Sequence, residues 1–238
     1  MDKHTQFTRT QMLYGDEAVK KLQNSAVLVF GLGGVGGHAA ESLVRCGIGR
    51  IGILDREAVD ITNLNRQTIA THDTVGQDKV GAMADRLLSI NPHVQMDCYN
   101  MFYHPDTAAQ IDLTRYDYLV ECMDTVAAKI ELIVRAKAAG VPILSVMGAA
   151  NKLDPTALQV MDLAKTKNCA LARVMRRELR RRGIYQLKVV CSTEKAKTPH
   201  FQPEKLPAAR RQLPASSPFV PAVAGLIAAS AVVDDLIG

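Results

Sequence analysis

The stretch "SAVLVFGLGGVGGHAAESLVRCG" (residues 25–47) decides the fold. Its apolar opening reads as a buried strand, and "HAAESLVRCG" reads as a helix that stops at Gly47. Five of the seven residues at 31–37 are glycine, which a chain tolerates only where backbone bends sharply or lies close against something. Gly31, Gly33 and Gly36 form G-x-G-x-x-G, and with Gly34 they make a loop whose amides can meet phosphate oxygens at a helix N-terminus. The bland alternative is tight helix–strand packing.

Working outward, "RIGILD" (50–55) is a second buried strand ending in Asp55, nineteen residues past Gly36. That spacing suits a carboxylate accepting hydrogen bonds from ribose hydroxyls. On these features alone NAD or FAD is the expected ligand. The next segment, "DITNLNRQT" (60–68), reverses the preference by placing Asn63, Asn65, Arg66 and Gln67 together, with Lys79 following near a helix start. Two cations beside a glycine loop suit a triphosphate or its departing pyrophosphate, and a dehydrogenase needs none beside its reactive ring. Asp124 follows the fourth strand, at the edge where open α/β sheets bind ligands. It can hold Mg2+ through oxygen, or cap the helix that follows.

The remaining pattern alternates strands and helices. It predicts a short helix over 16–22 and an amphipathic helix over 78–90, with Val80, Met83, Leu87 and Leu88 near one face. A third strand over 94–100, a short helix over 105–113 and a fourth strand over 118–124 follow. A helix over 126–140 and a fifth strand over 141–146 complete the alternation. Beyond Gly148 come an additional strand within 157–166, a helix over 168–183 and a Pro-rich, mobile loop over 192–218. The expected fold class is α/β, a doubly wound, mostly parallel Rossmann-like sheet with a C-terminal extension containing helices and that loop. The expected organisation is a single domain, 1–238, with a nucleotide-binding core at 1–148 and a substrate-side and dimer extension at 149–238.

Composition narrows the classes. A hydrophobic fraction of 47% with 22% charged residues marks an ordinary globular protein. Five scattered cysteines with no C-x-x-C pair argue against a disulfide framework or a zinc site, and point to the cytoplasm. A net charge of +5 permits a polyanionic partner without requiring one. The C-terminal apolar stretch, interrupted by Pro221 and ending in Asp234 and Asp235, reads as shorter than a bilayer span. It is expected to be a buried helix or subunit interface, with no membrane partner.

Taken together, "GLGGVGG…ILDREAVDITNLNRQ…VGQDKV…CMD" resembles the adenylating enzymes of the ubiquitin-activating superfamily, which includes bacterial ThiF, MoeB and HesA proteins. That resemblance implies binding of ATP and Mg2+ and attack of a carboxylate on the α-phosphate. Carried over by position, it implies that Asp55 binds ribose, that Asn63, Arg66 and Lys79 contact phosphates, and that Asp124 coordinates the metal. It also implies a homodimer in which Arg9, in "FTRTQMLYG", reaches the partner's triphosphate. The segments "GAANKLDPTALQVMDLAKTKNCALARVMRRELRRRGI" and "SPFVPAVAGLIAAS" resemble the branch that acts on tRNA carrying threonylcarbamoyladenosine, cyclising it with loss of water. The competing branch activates a ubiquitin-like sulfur carrier and typically carries two C-x-x-C pairs, which do not occur here. A sulfur- or redox-relay protein is a further partner the resemblance allows.

Two features stay open. Cys191 in "VVCSTE" is the best-placed thiol, although a buried strand cysteine is the commoner explanation. Arg173, Arg176, Arg177 and Arg180 recur at helical spacing, followed by Arg181 and Arg182. They suit either a solvated helix face or a surface for tRNA phosphates.

Overall fold

The computed structural model describes residues 5–203 and 213–238. Its centre is one seven-stranded sheet in the order β3-β2-β1-β4-β5-β7-β6. The strands are β1 (Ala26–Phe30), β2 (Arg50–Asp55), β3 (Gln95–Asn100), β4 (Tyr118–Glu121), β5 (Ile143–Val146), β6 (Leu158–Asp162) and β7 (Lys188–Ser192). All neighbours pair in parallel except β6, which runs antiparallel to β7. The chain winds from β1 outward to β3, then returns to lay β4 on the other side of β1. The order therefore reverses between β1 and β4, where the carboxyl ends of an open parallel sheet leave a crevice.

The central strands bury both faces, so they read as continuous apolar runs rather than alternating ones. On one face Val27, Val29 and Val120 pack beneath α3 (Gly36–Cys46), α4 (Lys79–Ile90) and α7 (Phe219–Ile237). On the other, Leu28, Phe30 and Leu119 pack beneath α5 (Val126–Ala138) and α6 (Ala170–Arg180). Two short helices, α1 (Thr8–Tyr14) and α2 (Asp16–Asn24), precede β1.

Several expectations are corrected. The segment 105–113 is not one helix but two single 3-10 turns, at Ala108–Gln110 and Leu113–Arg115. Local side chains impose that break. Thr107 Oγ1 donates to the Phe102 carbonyl at 2.6 Å, and the Asp112 carboxylate accepts from the Thr114 amide at 3.0 Å. The fourth strand ends at Glu121, so Asp124 lies in the turn beyond it. In α4, Val80, Met83 and Leu87 are buried, but Leu88 is 41% exposed at the margin of the apolar stripe.

The C-terminal stretch is one 19-residue helix that Pro221 and both aspartates fail to shorten. Pro221 lies in the first turn, where its missing N–H has no helical partner to lose. By length and composition α7 could cross a membrane, yet Val220, Ala224, Ala228, Ala229, Val232 and Val233 all sit in the core. The flanks of the Pro-rich segment are tethered. The Asn151 amide donates to the Ala215 carbonyl and the Asn151 carbonyl accepts from the Lys197 amide, while Gln202 clamps the Leu213 backbone from both sides. The middle of the loop expected to be mobile, 204–212, lies outside the described residues.

Candidate nucleotide site

The site is built from the carboxyl ends of β1, β2 and β4. Gly31 leaves β1 with φ +88°, and a Cβ there would sit 3.1 Å from the Cys122 carbonyl and the Met123 amide nitrogen. A Cβ at Gly36 would lie 1.8 Å from the Gly31 carbonyl oxygen, so no side chain fits at the first turn of α3. The glycine loop is thereby pressed onto the turn after β4, one residue before Asp124.

Asp55 closes the loop from the β2 side. One carboxylate oxygen accepts from the Leu32 amide at 2.7 Å, and the other accepts from the amides of Arg56 and Glu57 at 2.8 and 2.9 Å. A carboxylate has lone pairs beyond these three bonds to offer a hydroxyl. The segment 60–68 then folds over the glycines. Asp60 and Asn63 form a reciprocal cap, with the Asp60 side chain on the Thr62 amide and the Asn63 Oδ1 on the Asp60 amide. This turn delivers Arg66 to the loop, where a Cβ at Gly34 would lie 3.1 Å from the Arg66 Cγ. The Arg66 guanidinium donates to the Thr62 carbonyl and to the Asn65 Oδ1, each at 2.9 Å. Burial holds its pKa below the usual arginine value, with the nearby Glu57 carboxylate opposing. Asn65 reaches the other way, donating to the Ser216 carbonyl at 3.0 Å just before α7.

Gln67 is buried beside Gly33, and its Oε1 has no hydrogen-bond partner among the described residues. A buried acceptor left unsatisfied costs about 1–3 kcal/mol, and a ligand donor in the loop would recover it. Lys79, at the first position of α4, is 2% exposed and donates to Glu57 Oε2 at 2.6 Å. Glu57 is the residue that sequence reasoning missed. The signal lay in the need of a buried lysine for a counter-charge, which no periodicity displays.

Asp124 is exposed in the turn between β4 and α5. It does not cap α5, whose N-cap is Thr125 with no side-chain cap bond. The Thr125 hydroxyl donates to Asp124 Oδ1 at 3.4 Å. Arg9 is not brought to these residues. It is exposed on α1, and Phe7, two residues earlier, packs at Gly47 beyond the far end of α3. The 11 residues of α3 place that end about 16 Å from the glycine loop.

Cys191 is buried in β7, where its thiol donates to the Ser192 carbonyl at 3.6 Å, and the neighbouring Cys169 together with burial pushes that thiol far above the usual range. A thiol so held is a poor nucleophile. The α6 arginines divide. Arg176 is half-buried and donates to the carbonyls of Leu163 and Thr166 at 3.2 and 2.8 Å and to the Thr166 hydroxyl, so it is a structural tie rather than part of an open face. Arg173, Arg177 and Arg180 are exposed. Because α6 leads into the amino end of β7, its C-terminal arginines lie at the end of the sheet opposite the glycine loop.

Comparison with known proteins agrees with this geometry. The ThiF family model matches residues 7–234. The chain is 41% identical to tRNA threonylcarbamoyladenosine dehydratase of Bacillus subtilis over 241 residues, covering 98% of this chain and 94% of that protein. Among solved structures it is similar to the Escherichia coli tRNA N6-threonylcarbamoyladenosine dehydratase TcdA in complex with AMP. The TM-score is 0.89 at 33% identity, over 98% of this chain and 94% of that one. The same protein in complex with ATP gives 0.87 at 32%, over 98% and 93%. A match across 228 of 238 residues, with the glycine loop and its flanking cations assembled, is decisive: the chain belongs to the ThiF family.

Proposed function

We propose that this protein is an ATP-dependent tRNA threonylcarbamoyladenosine dehydratase. The observation that carries the reading is its similarity to the B. subtilis enzyme, which runs through the C-terminal extension as well as the nucleotide core. In this reading the threonylcarbamoyl carboxylate of the tRNA attacks the α-phosphorus of ATP and pyrophosphate leaves. The carbamoyl group then closes a ring onto the activated carbonyl. The oxygen removed from the substrate departs on AMP, a far better leaving group than water, so ATP drives a dehydration without a covalent link between substrate and enzyme.

The chain's own residues divide the work. Asp55 receives ribose hydroxyls. The glycine-loop amides, Arg66 and Lys79 bind phosphate oxygens and offset the charge that develops as pyrophosphate leaves. Asn63 holds the 60–68 turn from within, while Asn65 and Gln67 line the same loop. Asp124 fits a magnesium ligand: it is an exposed carboxylate in the turn past β4 on which the glycine loop rests. Magnesium commonly takes only one or two protein carboxylates and completes its shell with phosphates and water. When bound, it would neutralise triphosphate charge. Residues 149–238 form the substrate side and contribute to a homodimer in which Arg9 serves the neighbouring site.

The test is incubation with ATP, Mg2+ and threonylcarbamoylated tRNA, followed by nucleoside mass analysis. Loss of one water from the nucleoside, with AMP and pyrophosphate formed in equal amount, is the expected result. Unchanged nucleoside mass in protein that binds ATP would sink the reading.

A further inference from the structure

Beneath the glycine loop lies a charged network that the proposed chemistry does not use. Glu121, the last residue of β4, is 0% exposed, as are Lys129 on α5 and Ser145 on β5. Glu121 Oε2 receives Lys129 Nζ and Ser145 Oγ, each at 2.5 Å, and Lys129 Nζ also donates to the Val146 carbonyl at 2.9 Å. The other oxygen, Oε1, accepts from the Met123 amide at 2.8 Å. That amide belongs to the turn bearing Asp124, and the turn is also the surface on which Gly31 rests. The Cys122 amide completes the attachment by donating to the Phe30 carbonyl at 2.8 Å.

For stability alone, a pair of apolar side chains would pack here as well as two desolvated charges do. What an apolar pair lacks is an acceptor aimed at the Met123 amide. We propose that Glu121, oriented by Lys129 and Ser145, is a positioning residue that fixes the 122–125 turn, so that Asp124 meets the metal–triphosphate in one geometry. The inference rests on the assignment of Asp124 as the metal carboxylate. Lys129 and Ser145 occupy one carboxylate oxygen and leave the other to hold the turn.

Two double variants separate positioning from packing. Glu121→Leu with Lys129→Met removes both charges and the acceptor, whereas Glu121→Gln with Lys129→Met removes the charges but keeps an oxygen for the Met123 amide. Two readouts need no turnover: amide hydrogen exchange at Met123, and the Mg2+ concentration that half-restores ATP binding in calorimetry. The leucine variant is expected to exchange faster at Met123 and to need about tenfold more Mg2+, as loss of a group orienting a metal ligand typically does. The glutamine variant is expected to stay near wild type in both. Should the leucine variant fail to fold, Ser145→Ala, which removes one of the groups holding Oε2, gives the same pattern at smaller amplitude. A folded leucine or alanine variant with wild-type exchange and Mg2+ midpoint overturns the inference, as does an equal shift in both double variants. Wild-type protein that binds ATP–Mg2+ yet leaves the tRNA unchanged defeats the proposed function alone and leaves this inference standing.

Discussion

Two lysine–glutamate pairs flank the glycine loop, and they are built differently. On the β2–α4 side, Lys79 and Glu57 meet at 2.6 Å with side chains 3% and 63% exposed. On the β4–α5 side, Lys129 and Glu121 meet at 2.5 Å with both side chains fully enclosed. The first pair has a buried cation and a solvated anion, so its carboxylate can move into water and yield the ammonium to another anion. The second has no such exit, since both side chains are enclosed and Ser145, the Val146 carbonyl and the Met123 amide hold them in place. One pair is exchangeable and suits a binding site, while the other is fixed and suits a foundation.

The sharpest way to break that contrast is to remove one member of the enclosed pair. Lys129→Met leaves Glu121 buried without its counter-charge, which should cost about 3–5 kcal/mol of stability. Urea denaturation read by circular dichroism measures it, and an unchanged midpoint would mean that Glu121 is relieved by water. Next in size is Arg66→Ala. The Arg66 stem lies over Gly34 and its guanidinium turns on the 60–68 segment, so its loss should chiefly slow adenylation. Removing one such donor typically costs about 10²–10³ in rate. Single-turnover AMP formation at saturating ATP checks it, and near wild-type rates would place the charge-stabilising role elsewhere.

The same contrast explains what the sequence displayed and what it withheld. β1, the glycines, α3 and β2 were legible because an apolar run, a glycine cluster and a C-terminal glycine are all local signals. Asp55, Arg66 and Lys79 were legible as candidates because the spacing after the glycine loop is itself local. Glu57 and the Glu121–Lys129 pair were not. Lys129 sits within "VAAKIELI", where charged residues read as the wet side of a helix, and only the neighbouring strands reveal it as enclosed. The segment 105–113 failed for a related reason: Thr107 and Asp112 choose turn hydrogen bonds over a helix, and composition alone does not settle that competition.

The arginines of α6 extend the comparison to a smaller effect. Arg176 is fixed by two carbonyls and a hydroxyl, while Arg173 and Arg180 are exposed. If the exposed pair meets tRNA phosphates, Arg173→Glu with Arg180→Glu should weaken tRNA binding and reduce the slope of log affinity against log salt by about one for each phosphate left unneutralised. Arg176→Ala should instead lower the melting temperature and leave that slope alone. Filter binding over a range of salt concentrations reads both, and an unchanged slope in the double charge reversal returns α6 to a solvated face.

The smallest effect belongs to Glu57, and its direction is what matters. An ion pair with one solvated partner is worth about 0–1 kcal/mol, so Glu57 restrains Lys79 only weakly. If triphosphate oxygens take over Lys79 when ATP binds, Glu57 competes with the ligand. Glu57→Gln should then tighten ATP binding, by at most about fivefold, which is what ~1 kcal/mol allows. The same change strips the buried ammonium of its counter-charge, so the ligand-free variant should melt below wild type. Because ATP binds only the folded form, saturating ATP–Mg2+ should raise the melting temperature of Glu57→Gln by more than it raises that of wild type. Thermal melts with and without the nucleotide give both numbers. Weaker ATP binding in the variant would reverse the assignment and make Glu57 part of the site, with Lys79 held in place by it rather than released from it.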